Sequence, residues 1–279
     1  MFRRALLPFL LLLPLGAAAA DTPEWFDGDL SWVLGGVLLM VGLVAWGILA
    51  GRAGKRVEAR PVAGLDATED AVGRAVEMGR PIVFVAGTQS ITKVGTIAGL
   101  SVLRLVAEKC AETGARLIVP CRDTIVTRIA TEAVEDAFRQ AGRHDQFDPA
   151  DVYFASNRQM AFTAAVNGVI ETEHPATVFL MGEFSAESLI FGETASRAGA
   201  VTIAGTDKDT QLPFFVTTCD HTLLGEELYG AGAAISGDPQ QLGSLRGIDL
   251  GKVAVLGIIG LGLILEVASS GWLRAVLGG

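Results

Sequence analysis

Cysteine is scarce, with three in 279 residues, and histidine is equally rare. Cys110, Cys121 and Cys219 stand too far apart for a paired metal-ligand spacing, so neither a zinc motif nor a disulfide framework is expected. Basic residues are the minority: 22 Lys+Arg against 31 Asp+Glu give a net charge of −9, which argues against a phosphate-binding surface for nucleic acid. Charged residues of both signs make up only 19%, while 50% are hydrophobic and the mean hydropathy is +0.44. That is too apolar for one ordinary water-soluble domain and too charged for a polytopic membrane protein. The chain lacks the Gly-x-x-x-x-Gly-Lys-Ser/Thr order of a P-loop and the Gly-x-Gly-x-x-Gly of a dinucleotide fingerprint. No complete catalytic signature stands out, and no cofactor is predicted.

Long apolar runs, by contrast, are plentiful. Residues 1–20 carry Arg3 and Arg4, a Leu-rich stretch and Ala17-Ala18-Ala19-Ala20, which reads as a signal peptide, cleaved or retained as an anchor. A short external segment, 21–29, comes next. Leu30–Ala50 is uncharged throughout and, at about 1.5 Å per residue, long enough for a hydrocarbon core of roughly 30 Å. Its leading flank holds Asp21, Glu24, Asp27 and Asp29. The neck behind it, 51–60, holds Arg52, Lys55, Arg56 and Arg60, so the positive-inside rule sends the chain from residue 51 onward into the cytoplasm. A second span is predicted over 251–274, its apolar run Val253–Leu273 broken only by Glu266, with residues 275–279 as an external tail. Glu266, Ser269 and Ser270 share a helical face, which suits helix packing, interface snorkelling or ion transport. Gly47 and Gly51 form a Gly-x-x-x-Gly pattern that allows close helix contact. These features predict a bacterial inner-membrane protein.

Between the spans, residues 61–250 alternate short apolar runs with helical patterns. The expected strands are Ile82–Ala86, Arg116–Pro120, Val152–Ala155, Thr177–Met181, Ala200–Ala204 and Pro213–Thr217; the last helix is expected over Thr222–Ile235. Runs that are apolar on both faces imply helices on both sides of a sheet. The predicted fold is a doubly wound, mostly parallel, five- or six-stranded Rossmann-like α/β domain flanked by two transmembrane helices. The loop before Pro213 is too short for a helical crossover, so one member of the final strand pair is expected to be an antiparallel edge.

Open parallel sheets bind ligands beyond the carboxyl ends of their strands. All the segments directly after the expected strands are polar. In the first of them Gly87, Thr88, Ser90, Thr92 and Lys93 lead into a helix, an arrangement that suits an anion, although turns and helix caps explain the same residue types. Arg122 and Arg158 are candidates to converge on such an anion. Asp123, Asn157 and Asp220 are candidate site residues or N-caps. Cys121 and Cys219 are conceivable nucleophiles, with Cys121 paired to His221 across the sheet top, while His144 and His174 fall in loops.

The stretch Thr222–Ala233, with Gly87-Thr88 and Ala98-Gly99-Leu100, resembles an uncharacterised bacterial family of membrane-anchored domains of unknown function. That resemblance covers most of residues 61–265 and implies no catalytic residues. The leading expectation is a membrane-tethered cytoplasmic binding or scaffold module, in contact with the bilayer and associating with copies of itself or with other membrane proteins. The alternatives are an enzyme or sensor for an anionic, nucleotide-like small molecule, and ion or proton translocation through Glu266.

Overall fold

Runs with no polar face can only be satisfied by burial on both sides, and this decides the sheet. A computed structural model describes residues 30–52 and 63–269. Its six strands are β1 (Ile82–Val85), β2 (Leu117–Cys121), β3 (Val152–Phe154), β4 (Thr177–Met181), β5 (Val201–Thr206) and β6 (His221–Leu224). Every neighbouring pair is parallel, in the order β3-β2-β1-β4-β5-β6. The helices are α1 (Ser31–Arg52), α2 (Ala63–Met78), α3 (Val94–Thr113), α4 (Thr124–Gln140), α5 (Gln159–Glu173), α6 (Glu187–Arg197), α7 (Leu212–Thr218), α8 (Glu226–Ser236) and α9 (Pro239–Ser269). The expected α/β class with a parallel sheet is what the chain forms.

Alternate strand residues feed two cores. Ile82, Phe84, Leu117, Val119 and Phe179 pack with Ala71 of α2, Leu103 and Val106 of α3, Val134 of α4 and Leu228 of α8. Val83, Val85, Ile118, Val178 and Leu180 pack on the other face with Phe162 and Ile170 of α5, Phe191 of α6 and Phe215 of α7. Each of the larger of these side chains, the Val, Leu, Ile and Phe residues, contributes roughly 1.5–3 kcal/mol by leaving water. Local stops agree with this layering: Asp123 caps α4 by accepting from Ile125 N (2.7 Å) and Val126 N (3.1 Å), and Gly114 closes α3 in the left-handed region at φ 79°.

Two expectations at the end of the domain are corrected. Pro213–Thr217 is no strand but most of α7. Pro213 sits in the first turn, where its missing N–H costs nothing, and within α7 only Phe215 is buried. The strand is instead His221–Leu224, which the apolar spacing merges into the helix after it. It runs parallel to β5, with α7 as a short crossover, so the expected antiparallel edge does not exist. Asp220 caps no helix: its Oδ2 accepts from Thr202 N (2.8 Å) and Thr202 Oγ1 (2.9 Å) and fastens the start of β6 to β5.

The sheet and its helices form one compact unit, within Glu58–Asp238, and the two long helices form the other. Both α1 and the 239–264 part of α9 are long and apolar enough to cross a membrane, with mean hydropathy 2.4 and 1.9. They pack antiparallel along glycine. A Cβ on Gly47 would collide with the Gly243 carbonyl, one on Gly51 would stand 2.9 Å from Pro239 C, and one on Gly247 would stand 2.7 Å from Leu43 O. Gly47 and Gly51 therefore do bring two helices into backbone contact. Arg52 donates to Gln240 Oε1 at the open end of the pair (3.0 Å). Away from this seam Val33, Val41, Trp46, Leu49, Val253, Leu256 and Ile264 are exposed. The expected signal peptide 1–20, segment 21–29, most of the neck, Ser270 and the tail lie outside the described residues. Glu266 and Ser269 fall within α9, where only their backbone is described.

Candidate functional site

The strand order reverses direction between β1 and β4, so the loops leaving these two strands flank the switch point. They are stitched together. Thr88 N donates to Glu183 O at 2.8 Å, and Gly87, at φ +70°, leaves only 2.9 Å between a Cβ position and that same oxygen. Arg122, after β2, donates from Nη1 to Thr88 O (3.1 Å) and from Nε to Asn157 O (3.2 Å). Gly87, Thr88, Arg122 and the Asn157 backbone thus do come together across three loops. Both of these Arg122 donors are spent on backbone carbonyls. Ser90 and Thr92 pair their hydroxyls at 2.7 Å, Lys93 and Arg158 are exposed, and Asp123 serves as the α4 cap.

A second group at the switch point escapes sequence reasoning. Gly99 allows α3 to ride onto the end of β4, where a Cβ would stand 2.7 Å from Met181 O. One turn earlier, the Cβ position of Gly95 lies 2.6 Å from Asp207 Oδ1 and 3.0 Å from Glu183 Cγ, which sets the two acidic side chains side by side under the start of α3. Glu183 is 5% exposed, and the ammonium of Lys208 stands 3.3 Å from its Oε2. Tyr229, from α8, donates its hydroxyl to Asp207 Oδ2. Burial, then the hydrogen bond to Asp207, then the charges of Asp207 and Glu183 push the Tyr229 phenol well above its ordinary range, so it is a donor at neutral pH. Thr96 Oγ1, Glu183 Oε2 and Asp207 Oδ1 are buried without a hydrogen-bond partner among the described residues. Beside this group, Glu187 accepts from Gln159 Nε2 and Ser185 N, and Ser188 donates to Gln211 Oε1.

Burying Glu183 and half-burying Asp207 beside it is expensive, and acidic side chains are ordinarily left at the surface. For that reason nothing singles these two out in a chain of 31 acids, although both lie in segments directly after strands. The strand-end rule together with a carboxylate just beyond an all-buried strand is the available signal. A separate cavity of about 250 Å³, lined by Phe138, Phe147, Asp148 and Asp151 among others, opens at Arg116 and Leu117, the start of β2, and not at the switch point.

Thiol chemistry finds no support in the geometry. Burial holds the Cys110 thiol far above its usual range, pushes Cys121 up to about 12, and raises Cys219. Cys121 ends β2 and His221 begins β6, with β1, β4 and β5 between them, so the conceived Cys121–His221 pair is separated both across and along the sheet. Iodoacetamide at pH 8 is expected to leave Cys110 and Cys121 unmodified in the folded protein and to reach them only after denaturant. Mass spectrometry of the intact chain checks this, and rapid alkylation of Cys121 in the native state would contradict it. His144 stacks on Phe147, and His174 closes α5 in the left-handed region at φ 44°. Among the described residues no three His, Cys, Asp or Glu side chains converge as a metal-holding group.

One family model, described as a domain of unknown function (DUF6754), matches residues 21–277. The chain belongs to that family. The match runs through both long helices as well as the α/β domain, so the DUF6754 unit includes all three. No curated protein and no solved structure matches the chain.

Proposed function

We propose that the chain is a membrane-tethered scaffold module that associates with copies of itself, its acidic α/β domain on the cytoplasmic side of a bacterial inner membrane. The observation that carries this is the glycine-packed pair α1 and α9. Its outward surface is apolar over most of both helices, which suits lipid or other apolar helices. Orientation rests on Arg52 and the basic neck behind α1, opposite the acids before it.

The pairing register supports self-association. Gly247 meets Leu43 and Val44, and Gly251 meets Met40, so Arg246, Asp249 and Lys252 of α9 run beside the apolar middle of α1. Lipid is a poor environment for exposed Arg246 and Lys252, and water is a poor one for exposed Val41, Trp46 and Leu49. Further copies of the pair resolve the conflict by covering both. Native mass spectrometry and in-membrane crosslinking of the gently solubilised chain are expected to give oligomers, and a strict monomer at all protein concentrations would end this reading. An anionic ligand at residues 87–96 has weaker support, because Thr88 N and two Arg122 nitrogens already serve the protein's own carbonyls. The Glu266 translocation reading rests on sequence alone.

A further inference from the structure

Two carboxylates lie side by side at the switch point, and each has an oxygen that no directed hydrogen bond reaches among the described residues. Glu183 is 5% exposed and Thr96 0%, yet Glu183 Oε2, Thr96 Oγ1 and Asp207 Oδ1 have no hydrogen-bond partner among the described residues. A buried carboxylate without donors is among the costlier arrangements a fold can keep. Here two carboxylates lie side by side, one buried and one half-buried, held by the Lys208 ammonium on Glu183, the Tyr229 hydroxyl on Asp207 and the partial positive charge at the start of α3.

We propose that this cluster binds a hard divalent cation of the Mg²⁺ or Ca²⁺ class, with Glu183 and Asp207 as carboxylate ligands and water completing the shell. The donor set is oxygen only, which selects such ions over zinc or copper. One or two carboxylates completed by water is a common way of holding Mg²⁺. Tyr229 has the role of an outer partner: by donating to Asp207 Oδ2 it fixes the carboxylate and leaves Oδ1 open. Lys208 supplies a counter-charge to Glu183. Its ammonium stands 3.3 Å from Glu183 Oε2 in an ion pair without a directed hydrogen bond, and the side chain is 47% exposed, so its flexible stem can withdraw toward solvent.

Terbium is the probe, because it prefers the same oxygen donors and is sensitised by a nearby phenol. The chain has two tyrosines, and Tyr229 is the one at the cluster. The full-length protein in detergent is expected to show saturable terbium luminescence under tyrosine excitation, displaced by Mg²⁺ or Ca²⁺. Asp207→Asn and Glu183→Gln are each expected to weaken the affinity at least about tenfold. Tyr229→Phe removes the Tyr229-sensitised signal while calorimetry still detects the ion. Asp136→Asn, on the exposed surface of α4, leaves both readouts unchanged. Lys208→Met is decisive in sign: it removes a competing positive charge, so affinity rises roughly tenfold. A purely structural Lys208–Glu183 pair predicts no gain. Absent binding, binding indifferent to Asp207→Asn, or unchanged affinity in Lys208→Met overturns the proposal. Should Glu183→Gln lose the cooperative melt, the surface variant Lys208→Met still decides.

Discussion

Replacing Gly47 with leucine will drive α1 and α9 apart. The first added carbon already falls on the Gly243 carbonyl, and backbone on both sides leaves no flexible side chain to give way. Gly243→Leu has the same effect from the other helix, because its Cβ position falls on the Gly47 carbonyl. Apolar helices in lipid gain little from hydrophobicity, so close backbone packing supplies most of what holds such a pair. The expected loss is about 3 kcal/mol or more, the upper end of overpacking costs. Spin labels placed on the two helices would report it as a lengthened, broadened distance distribution. Gly36→Leu and Gly257→Leu are the controls. Nothing lies within 4 Å of either Cβ position, so both should stay within about 0.5 kcal/mol of the parent. An unchanged distance in Gly47→Leu would refute the pairing register, and with it the placing of Arg246 and Asp249 beside α1.

Phe179→Ala carries the largest expected cost within the α/β domain. Phe179 is fully buried in β4 and stacks on Phe84 of β1, with ring centroids 5.8 Å apart, across the very strands that flank the switch point. Truncating a ring at a site walled by strand backbone and α3 leaves a hole that cannot collapse. The expected loss is about 3–5 kcal/mol. In a domain of this size that lowers the melting temperature by roughly 10 °C. Phe214→Ala is the contrast, since Phe214 lies on the exposed side of α7 at 38% exposure, and its cost should be under about 1 kcal/mol. Circular-dichroism melts of the two variants suffice, and a Phe179→Ala shift no larger than that of Phe214→Ala would contradict the assigned core.

Fold class is legible in the sequence because strands such as Thr177–Met181 have no polar face, a pattern only a sheet covered on both sides can satisfy. The end of the domain is harder to read. Phe214-Phe215-Val216-Thr217 has strong strand propensity, but tertiary packing buries only Phe215 and makes the segment a helix. His221–Leu224 is short and half-buried, and its leucines continue the spacing of the next helix. Charge hides the true start of α9 at Pro239, since hydropathy sees only its apolar stretch while helix formation tolerates Arg246, Asp249 and Lys252. At the site, the meeting of the β1 and β2 loops through Arg122 is a consequence of the strand-end rule. Glu183, Asp207 and Tyr229 require strand order, which no spacing along the chain encodes.

Because β1 is sandwiched between β2 and β4, its second neighbour is made almost a hundred residues later in the chain. While the chain emerges from a ribosome, the β4-facing edge of Ile82–Val85 therefore stays open until Thr177–Met181 has been synthesised, presenting a bare apolar ribbon. Nascent chains halted between these points are expected to depend on chaperones or to clump. Chains halted far enough beyond residue 224 for β6 to have cleared the ribosome can complete every strand.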